Sequence, residues 1–275
     1  STLLNVVLGQ KIAIVTEKPQ TTRNRILGIK TYPDAQIIFI DTPGIHDPKN
    51  MLGKTMVRVA MEALKEIDLG VFVTEPGKFI KHDRDIVKSL LNMYKPVILL
   101  INKIDTVKKT ELLAMIDNYR EVYPFREIIP VSAIREDGIE FFLKSILKYL
   151  PAGPKYYPDE IVTDQIERLM VAEIIREKIM DRTSDEIPYS VAVEIADWIE
   201  RENSVISINA NIYVERQGQK GIIIGENGKM LKLIGTLARV EIEKLLNTRV
   251  FLQLWVKVKK GWRNNIKALN ELGYR

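Results

Sequence analysis

The chain has 275 residues, of which 46% are hydrophobic and 28% charged, and its net charge is +5 at pH 7. This composition is typical of a globular protein and excludes disordered and fibrous chains, and the length suits two domains. The absence of cysteine excludes disulfides, thiolate metal sites and cysteine nucleophiles, and it favours a reducing cytosol. No apolar run approaches the roughly 20 residues that span a bilayer, so we predict no transmembrane or signal segment.

In the first half of the chain, short apolar runs alternate with amphipathic stretches, as in a doubly wound α/β sheet whose parallel strands are buried on both faces. The predicted strands are residues 11–16, 26–31, 36–41, 70–75, 96–102 and 127–132, and the predicted helices are residues 52–66, 83–94, 110–123 and 138–149. We therefore predict an α/β domain over residues 1–150. Closely spaced proline and glycine then predict a linker over residues 151–162.

Residues 163–275 have a different pattern, which predicts a smaller α+β domain. The predicted helices are 163–181, 229–247 and 262–272, the predicted strands are 189–199, 206–217 and 249–258, and a short helical turn precedes residue 225. From Arg216 to Arg275 thirteen Lys or Arg stand against four Asp or Glu, a net charge of +9 that leaves −4 for the rest. Such a basic segment is either a solvated surface or a nucleic-acid-binding one.

The motif Asp41-Thr42-Pro43-Gly44 follows a predicted strand, at the sheet edge where α/β proteins bind ligands. An acid there can hold the water shell of Mg²⁺, and a glycine lets its backbone N–H approach a γ-phosphate. A plain turn after a strand uses the same residues, so the motif alone leaves both interpretations open.

Two further motifs follow later strands, and they suit a guanine base. Asp105, in Asn102-Lys103-Ile104-Asp105, can accept both donors on one edge of guanine, whereas adenine has no matching pair. Asn102 can tie this loop to its neighbours and the stem of Lys103 can cover the ring, although Asn102 and Asp105 could instead cap the next helix. After the third strand, backbone N–H groups of Ser132 and Ala133 can meet the guanine O6, and we include Ile134 in the site.

The order and placement of these motifs resemble the third, fourth and fifth signature motifs of the P-loop GTPase superfamily. The resemblance implies binding of GTP or GDP with Mg²⁺. It places Thr21 or Thr22 in the first switch and residues 44–58 in the second, with Thr22 the threonine that reaches Mg²⁺. It also makes Ser1-Thr2 the end of the first motif, so that Ser1, Thr22 and Asp41 are the predicted Mg²⁺ ligands.

Ile45 occupies the position where Ras-like members of the superfamily carry a Gln that orients the attacking water. An aliphatic side chain cannot position water. We therefore predict slow GTP hydrolysis that depends on Mg²⁺ and backbone groups. A monovalent cation or the ribosome is a further candidate for accelerating it. No side chain is assigned as catalytic.

The glycine-rich loop and Lys of the first motif, which hold the β- and γ-phosphates, do not occur in these 275 residues. The strand before that loop is central in the superfamily's fold, and without it neighbouring strands would have buried, unpaired backbone groups. We expect the natural polypeptide to extend upstream of Ser1.

A Gly-x-x-Gly sequence, Gly225 to Gly228, lies in the basic segment between a short helical turn and a long helix. Its glycines let the backbone approach phosphates, as in KH domains, which clamp about four single-stranded nucleotides. An ordinary helix–helix turn is the alternative, and the basic surroundings favour RNA. The predicted RNA-binding residues are Ile224, Gly225, Glu226, Asn227, Gly228, Lys229, Lys232, Lys257 and Lys259.

The order helix, two strands, two helices, strand resembles a type II KH domain. The segment Leu254 to Trp262 and Ser190-Val-Ala-Val-Glu194 resemble the Era family of bacterial GTPases, and the resemblance extends over essentially the whole chain. It implies a role in small ribosomal subunit assembly, with the KH domain on the 3′ end of the small-subunit ribosomal RNA. We expect a cytoplasmic monomer with peripheral contact at the inner membrane.

Two alternatives remain at this level. One is a fragment of a ribosome GTPase with two nucleotide domains, whose KH-like tails generally lack the Gly-x-x-Gly loop. The other is an RNA-binding module that keeps an inactive nucleotide domain as a scaffold.

Overall fold

The computed structural model describes residues 1–77, 81–91, 95–201 and 204–274. Packing divides them into two compact units: residues 1–11, 25–46 and 58–163 form the first, and residues 12–24, 47–57 and those from Asp164 onward form the second. Two segments of the predicted α/β domain thus belong to the second unit. Within the described ranges, no helix has both the length and the apolar character needed to cross a membrane.

The first unit contains the predicted α/β sheet. Its strands are β1 (Ile26–Thr31), β2 (Gln36–Asp41), β3 (Gly70–Thr74), β4 (Val97–Ile101) and β5 (Glu127–Pro130). The helices of this half are α1 (Thr2–Leu8), α2 (Met51–Glu66), α3 (Lys81–Leu91), α4 (Lys109–Val122) and α5 (Ile139–Leu147), of which α2 begins among residues of the second unit.

Strands β3, β4 and β5 are parallel, in that order, and β4 is buried along its whole length. Alternate β4 residues pack into two clusters: Leu100 packs with Phe142 of α5, and Leu99 packs with Tyr119 of α4. Helices therefore cover both faces, which is why β4 is a continuous apolar run rather than an alternating one. The predicted doubly wound arrangement is confirmed here.

The first two strands differ from the expected parallel arrangement. β1 and β2 form an antiparallel hairpin, with Ile29 opposite Ile38, because a four-residue connection is too short for the crossover that parallel strands need. The segment predicted as a linker is held against this hairpin: the N–H groups of Tyr156 and Tyr157 donate to Gln36 Oε1 at 2.9 and 3.0 Å.

The strand predicted over residues 11–16 is wrong. Ile12, Ala13 and Ile14 are buried, but this segment is irregular and packs in the second unit. The N–H of Val15 donates to Glu177 Oε1 at 2.8 Å instead of to a strand. An apolar run indicates burial, and it does not by itself indicate which partner satisfies the backbone.

The elements of the second unit follow the predicted order, except that a short helix, Ile187–Ser190, replaces the start of the strand predicted over residues 189–199. They are α6 (Glu167–Arg182), α7 (Ile187–Ser190), β6 (Ala192–Glu200), β7 (Val205–Val214), α8 (Gln217–Ile224), α9 (Lys229–Leu246), β8 (Arg249–Val258) and α10 (Ile266–Glu271). β7 is central, antiparallel to β6 and parallel to β8. One face of this sheet packs on α6 and α9 through a core that includes Ile175, Ile208 and Ile234.

The helix predicted over residues 262–272 is interrupted. A short 3₁₀ turn, Trp262–Asn264, precedes α10. Trp262 is fully buried and its indole N–H donates to the Ser190 carbonyl at 3.1 Å. This anchor, together with the left-handed conformation of Gly261 (φ 63°), turns the chain before the last helix begins.

Candidate functional site

Two of the three predicted magnesium ligands lie together in the first unit. Ser1 caps the start of α1 and Asp41 ends β2, and the Ser1 hydroxyl donates to Asp41 Oδ2 at 2.9 Å. Thr2 is the first residue of α1. A hydroxyl and a carboxylate side by side are the hard oxygen ligands that Mg²⁺ prefers, so these residues fit the ion.

The three residues after Asp41 follow the end of β2 and differ in exposure. Thr42 is partly exposed, Pro43 is buried and Gly44 is exposed, with no atom within 4 Å of where a side chain would begin. The space in front of the Gly44 backbone is therefore open to a ligand. Ile45 is partly buried and follows directly.

Thr21 and Thr22 belong to the second unit, so the structure does not group them with Ser1 and Asp41. The Thr21 hydroxyl donates to the Lys18 carbonyl at 2.7 Å, and its own carbonyl accepts from the buried Arg176 guanidinium. The next but one residue, Arg23, is also buried.

Arg23 holds this segment through backbone carbonyls. Its guanidinium donates to Val191 O at 2.7 Å and to Pro188 O at 3.0 Å. Loss of solvent lowers the pKa of Arg23 from its ordinary value. The predicted first switch thus contains a buried cation, which the loop-like sequence did not indicate.

The two predicted guanine loops are joined by Asn102. Its side-chain oxygen accepts from the N–H of Lys103 at 2.8 Å and from the N–H of Ala133 at 2.9 Å. The alternative that Asn102 and Asp105 cap the following helix is wrong, because α4 is preceded by Lys108 and makes no side-chain cap. Asn102 therefore stabilises the loops rather than the helix.

The Asp105 carboxylate is held by the third predicted loop. The buried Ser132 hydroxyl donates to Asp105 Oδ1 at 2.6 Å, while Arg135 Nε lies 3.9 Å from Oδ2. The hydrogen bond from Ser132, with smaller contributions from Arg135 and Lys103, lowers the pKa of Asp105. Asp105 is therefore kept as a carboxylate, which can only accept hydrogen bonds.

Glu75 and Arg135 were not predicted from the sequence. Glu75 directly follows β3, and its carboxylate lies 2.5 Å from Lys103 Nζ. Lys103 itself has a left-handed backbone, with φ 63°. The signal for Glu75 was its place at the carboxyl end of a strand, the same rule that identified Asp41 and Asn102.

The backbone donors of the third loop are mostly engaged. The N–H of Ser132 donates to Asp137 O at 3.0 Å and that of Ala133 donates to Asn102. Ile134 is 78% exposed, and within the described residues its N–H makes no hydrogen bond.

The Gly-x-x-Gly loop joins α8 to α9 and depends on unusual backbone angles. Gly225 has φ 70° and ψ 176°, a region essentially restricted to glycine, and Asn227 and Gly228 have φ of 50° and 75°. A Cβ on Gly225 would lie 2.6 Å from the Cβ of Met230. The loop can therefore close against α9 only with glycine at this position.

Cationic side chains surround the start of α9. Lys229 and Lys232 are exposed in its first turn, where the helix dipole also attracts anions. Ile224 and Glu226 border the loop, the first partly buried and the second exposed. Phosphate could approach this helix end from solvent.

Lys257, near the end of β8, and Lys259, just after it, have different surroundings. Lys257 is exposed, whereas Lys259 pairs with Glu271 at 2.6 Å and lies 5.5 Å from the ring centre of Tyr213. Lys259 therefore already has an anionic partner, and Lys257 has the more accessible charge.

Comparison with known proteins assigns both halves. Residues 1–103 match the family model for 50S ribosome-binding GTPases, and residues 186–263 match the model for KH domains. Fold and site together therefore define a GTPase with a carboxyl-terminal KH domain.

The chain is 50% identical to the GTPase Era of Ruminiclostridium cellulolyticum and 52% identical to that of Geobacter metallireducens. Each alignment covers 100% of this chain and 93% of the relative. The chain belongs to the Era family of GTPases.

Solved Era structures match the whole fold. A complex of Era with MgGDPNP and nucleotides 1506–1542 of 16S ribosomal RNA has a TM-score of 0.97 at 41% identity, covering 100% of this chain and 94% of that one. An Aquifex aeolicus Era variant bound to GDP and AlF4⁻ has a TM-score of 0.96 at the same identity and coverage. The predicted fold and family are confirmed. The match over the whole chain favours a protein with one nucleotide domain over a fragment of a GTPase with two.

Proposed function

We propose that this protein binds guanine nucleotides with Mg²⁺ and hydrolyses GTP to GDP and phosphate. The observation that carries guanine selection is the Asp105 carboxylate, which Ser132 holds in position and keeps ionised. An ionised carboxylate pairs with the two donors of guanine and repels the acceptor N1 of adenine. This supports GTP over ATP.

The neighbouring residues complete the base site. Asn102 locks two loops together, and the stem of Lys103, tethered by Glu75, can lie along the ring. Because Ser132 and Ala133 use their N–H groups within the protein, the N–H of Ile134 is the third loop's remaining donor for the guanine O6.

Ser1, Asp41 and Thr22 are the proposed magnesium residues. The ion would neutralise charge on the β- and γ-phosphates. Ser1 and Asp41 support this role by their contact of 2.9 Å, and Thr22 is proposed from the switch motif. Thr42, Pro43 and Gly44 would then border the γ-phosphate.

Titration with GTP, GDP and ATP in the presence of Mg²⁺ tests this half of the proposal. We expect GTP and GDP to bind and ATP to bind at least about a hundredfold more weakly, because a mismatched polar edge leaves buried groups unpaired. Equal affinity for GTP and ATP would contradict the base site.

Hydrolysis is proposed to be slow because Ile45 offers no atom that can orient water. Single-turnover measurement of Ile45→Ala should give a rate within a few-fold of the unchanged protein. A loss as severe as that of Asp41→Ala would show that Ile45 is not a bystander. Repeating the assay with K⁺ in place of Na⁺ tests the expected monovalent cation.

We propose further that the KH domain binds the single-stranded 3′ end of small-subunit ribosomal RNA during small-subunit assembly. The loop Gly225 to Gly228 and the lysines beside it support RNA binding. The match to an Era structure holding nucleotides 1506–1542 of 16S RNA supports this target. The family model that matches the nucleotide domain is named for GTPases that bind the 50S, or large, ribosomal subunit. The Era complex with 16S RNA matches both halves of this chain, so we favour the small subunit as the target.

Replacing Glu226 and Asn227 together by Asp tests the RNA site. The Asn227 change adds a negative charge beside the proposed phosphate path, so single-stranded RNA should bind more weakly, with the largest loss at low salt. Unchanged affinity at physiological salt would refute the loop as the binding site.

Three finer statements remain proposals. They are the domain boundaries at residues 150 and 162, a monomeric state and peripheral contact with the inner membrane. Limited proteolysis, sedimentation and flotation with lipid vesicles test them in turn.

A further inference from the structure

The sheet of the second unit has a second face, opposite α6 and α9. Along β8 the side chains alternate: Val250 and Val256 are buried on the helix side, whereas Phe251 and Trp255 point to the other side and are 46% and 58% exposed. Single exposed apolar residues are normal on protein surfaces, whereas large apolar side chains grouped on one face suggest an interaction site.

Only part of this second face is open. At the end of the sheet near Tyr213, the face packs with Trp262, α10 and the start of α2. Beyond it, the face carries Trp255 opposite Asn211 and, at the far end, Phe251 and Ile199 of β6, which is 58% exposed. We call this half the open sheet face.

The two aromatic rings are about 13 Å apart along β8, since four residues separate them at roughly 3.3 Å each. The guanidinium of Arg201 lies 5.6 Å from the ring centre of Phe251 and donates to the Ser207 hydroxyl at 3.2 Å. Aromatic rings and arginine side chains both contribute to the binding of single-stranded nucleic acids.

A polar group lies between the aromatic residues. Gln253, midway between them on β8, pairs in register with Asn209 of β7. The Asn209 side-chain oxygen is buried and has no hydrogen-bond partner among the described residues. An unpaired buried acceptor costs free energy unless a ligand donates to it, and base amino groups are such donors.

The charges on this face also favour a polyanion at β8. Arg249 and Lys257 continue the outward row of β8 at its two ends, and this row has no acid. The acids of the face, Glu194 and Asp197, lie on β6, two strands away, where they bond to Tyr213 and Asn209. Basic and aromatic residues along one edge are typical of single-stranded nucleic acid sites.

Strand β8 carries the open sheet face on one side and contacts α9 on the other. Among the described strands β8 pairs with β7 alone, and at its start the N–H of Val250 donates to Glu243 Oε1 at 2.9 Å. On the helix side, Leu254 packs against Gly235 of α9, the helix that begins at the loop.

We propose that the open sheet face is a second RNA site, where Trp255 and Phe251 stack bases of the single strand that continues from the Gly-x-x-Gly loop. The inference rests on the proposed RNA function of the KH domain. A KH loop clamps about four nucleotides, so the second site extends the contact to a longer RNA.

Binding of two RNAs to the full chain tests the inference. The shorter RNA has about five nucleotides and fills only the Gly-x-x-Gly loop site. The longer RNA contains the same nucleotides and about seven more, on the side that would extend towards β8. Trp255→Ala should weaken the longer RNA by about tenfold or more, the effect of losing one stacked base, and leave the shorter RNA unchanged. Trp255→Phe, which keeps a stacking ring, should lose little.

Two controls separate this site from the first one. The loop double substitution of Glu226 and Asn227 to Asp should weaken both RNAs, whereas Tyr156→Ala, which removes an exposed aromatic group of the first unit, should weaken neither. If both RNAs fail to bind the unchanged protein, the proposed RNA function fails and this inference with it. If both bind and Trp255→Ala changes neither, or changes both equally, only the open sheet face is wrong.

Fluorescence gives an independent measure. Stacking on Trp255 should quench tryptophan emission with the longer RNA more than with the shorter one, and Trp255→Phe should abolish the difference. A dimer in sedimentation that Trp255→Ala converts to a monomer, with RNA affinities unchanged, would instead identify the face as a contact between copies of the chain.

Discussion

The guanine loops of the first unit and the Gly-x-x-Gly loop of the second are built by different means. The guanine loops are positioned by side chains: Asn102 and Ser132 bridge between loops, and Asp105 is held by a hydroxyl. The Gly-x-x-Gly loop is positioned by its backbone, with three residues at positive φ and glycine packed on Met230. The first should therefore be sensitive to loss of single polar atoms, and the second to addition of a side chain.

The largest expected effect is that of Asp105→Asn on nucleotide choice. The new amide places a donor opposite the guanine amino group, so affinity for GDP and GTP should fall by about a hundredfold or more. Xanthosine nucleotides, which carry a carbonyl in place of that amino group, should bind the variant better than they bind the unchanged protein. Competition binding measures the affinities for guanine and xanthosine nucleotides. A variant that still prefers guanine would contradict the view that single side chains determine the guanine site.

The backbone half is tested by Gly225→Ala. Alanine in this glycine-only conformation costs about 1 to 3 kcal/mol and its Cβ would meet Met230 at 2.6 Å. We expect the loop to deform and single-stranded RNA affinity to fall by about tenfold.

Gly221→Ala is the matched control, because Gly221 lies in α8 and has no atom within 4 Å of the added methyl group. It should bind RNA normally and melt at the same or a slightly higher temperature. Equal RNA binding by the two variants would mean that the backbone shape of the loop does not matter.

The smallest expected effect is that of Ser132→Ala. The Ser132 hydroxyl positions the Asp105 carboxylate and lowers its pKa. Its removal should weaken guanine nucleotide binding near neutral pH by a few-fold through lost positioning, and it should raise the pKa of Asp105. Because protonated Asp105 cannot accept both donors, affinity falls on acidification, and in the variant this fall should begin at a higher pH. Binding curves between pH 4 and 8 that superimpose for the two proteins would exclude Ser132 as the cause.

Local pattern was enough to identify most elements and the strand-end motifs. The apolar run of β4 and the period-two alternation of β7 directly reflect burial on two faces and on one face. The expected strand at residues 11–16 was wrong because the same apolar run is buried within the second unit, where Glu177 accepts the Val15 N–H. Glu75 was missed because a lone acid after a strand has no distinctive neighbours.

The sequence by itself determined the class of each site, since Asp105, Gly225 and the basic segment carry chemistry that needs those residue types in that order. Only the tertiary structure decided which groups remain available. In the folded chain the Ala133 N–H donates to Asn102, Lys259 pairs with Glu271, and Thr21 belongs to the second unit. The tertiary structure also placed Phe251 and Trp255 on the open sheet face, because the outward row of a strand is exposed or covered according to elements that lie far away in the chain.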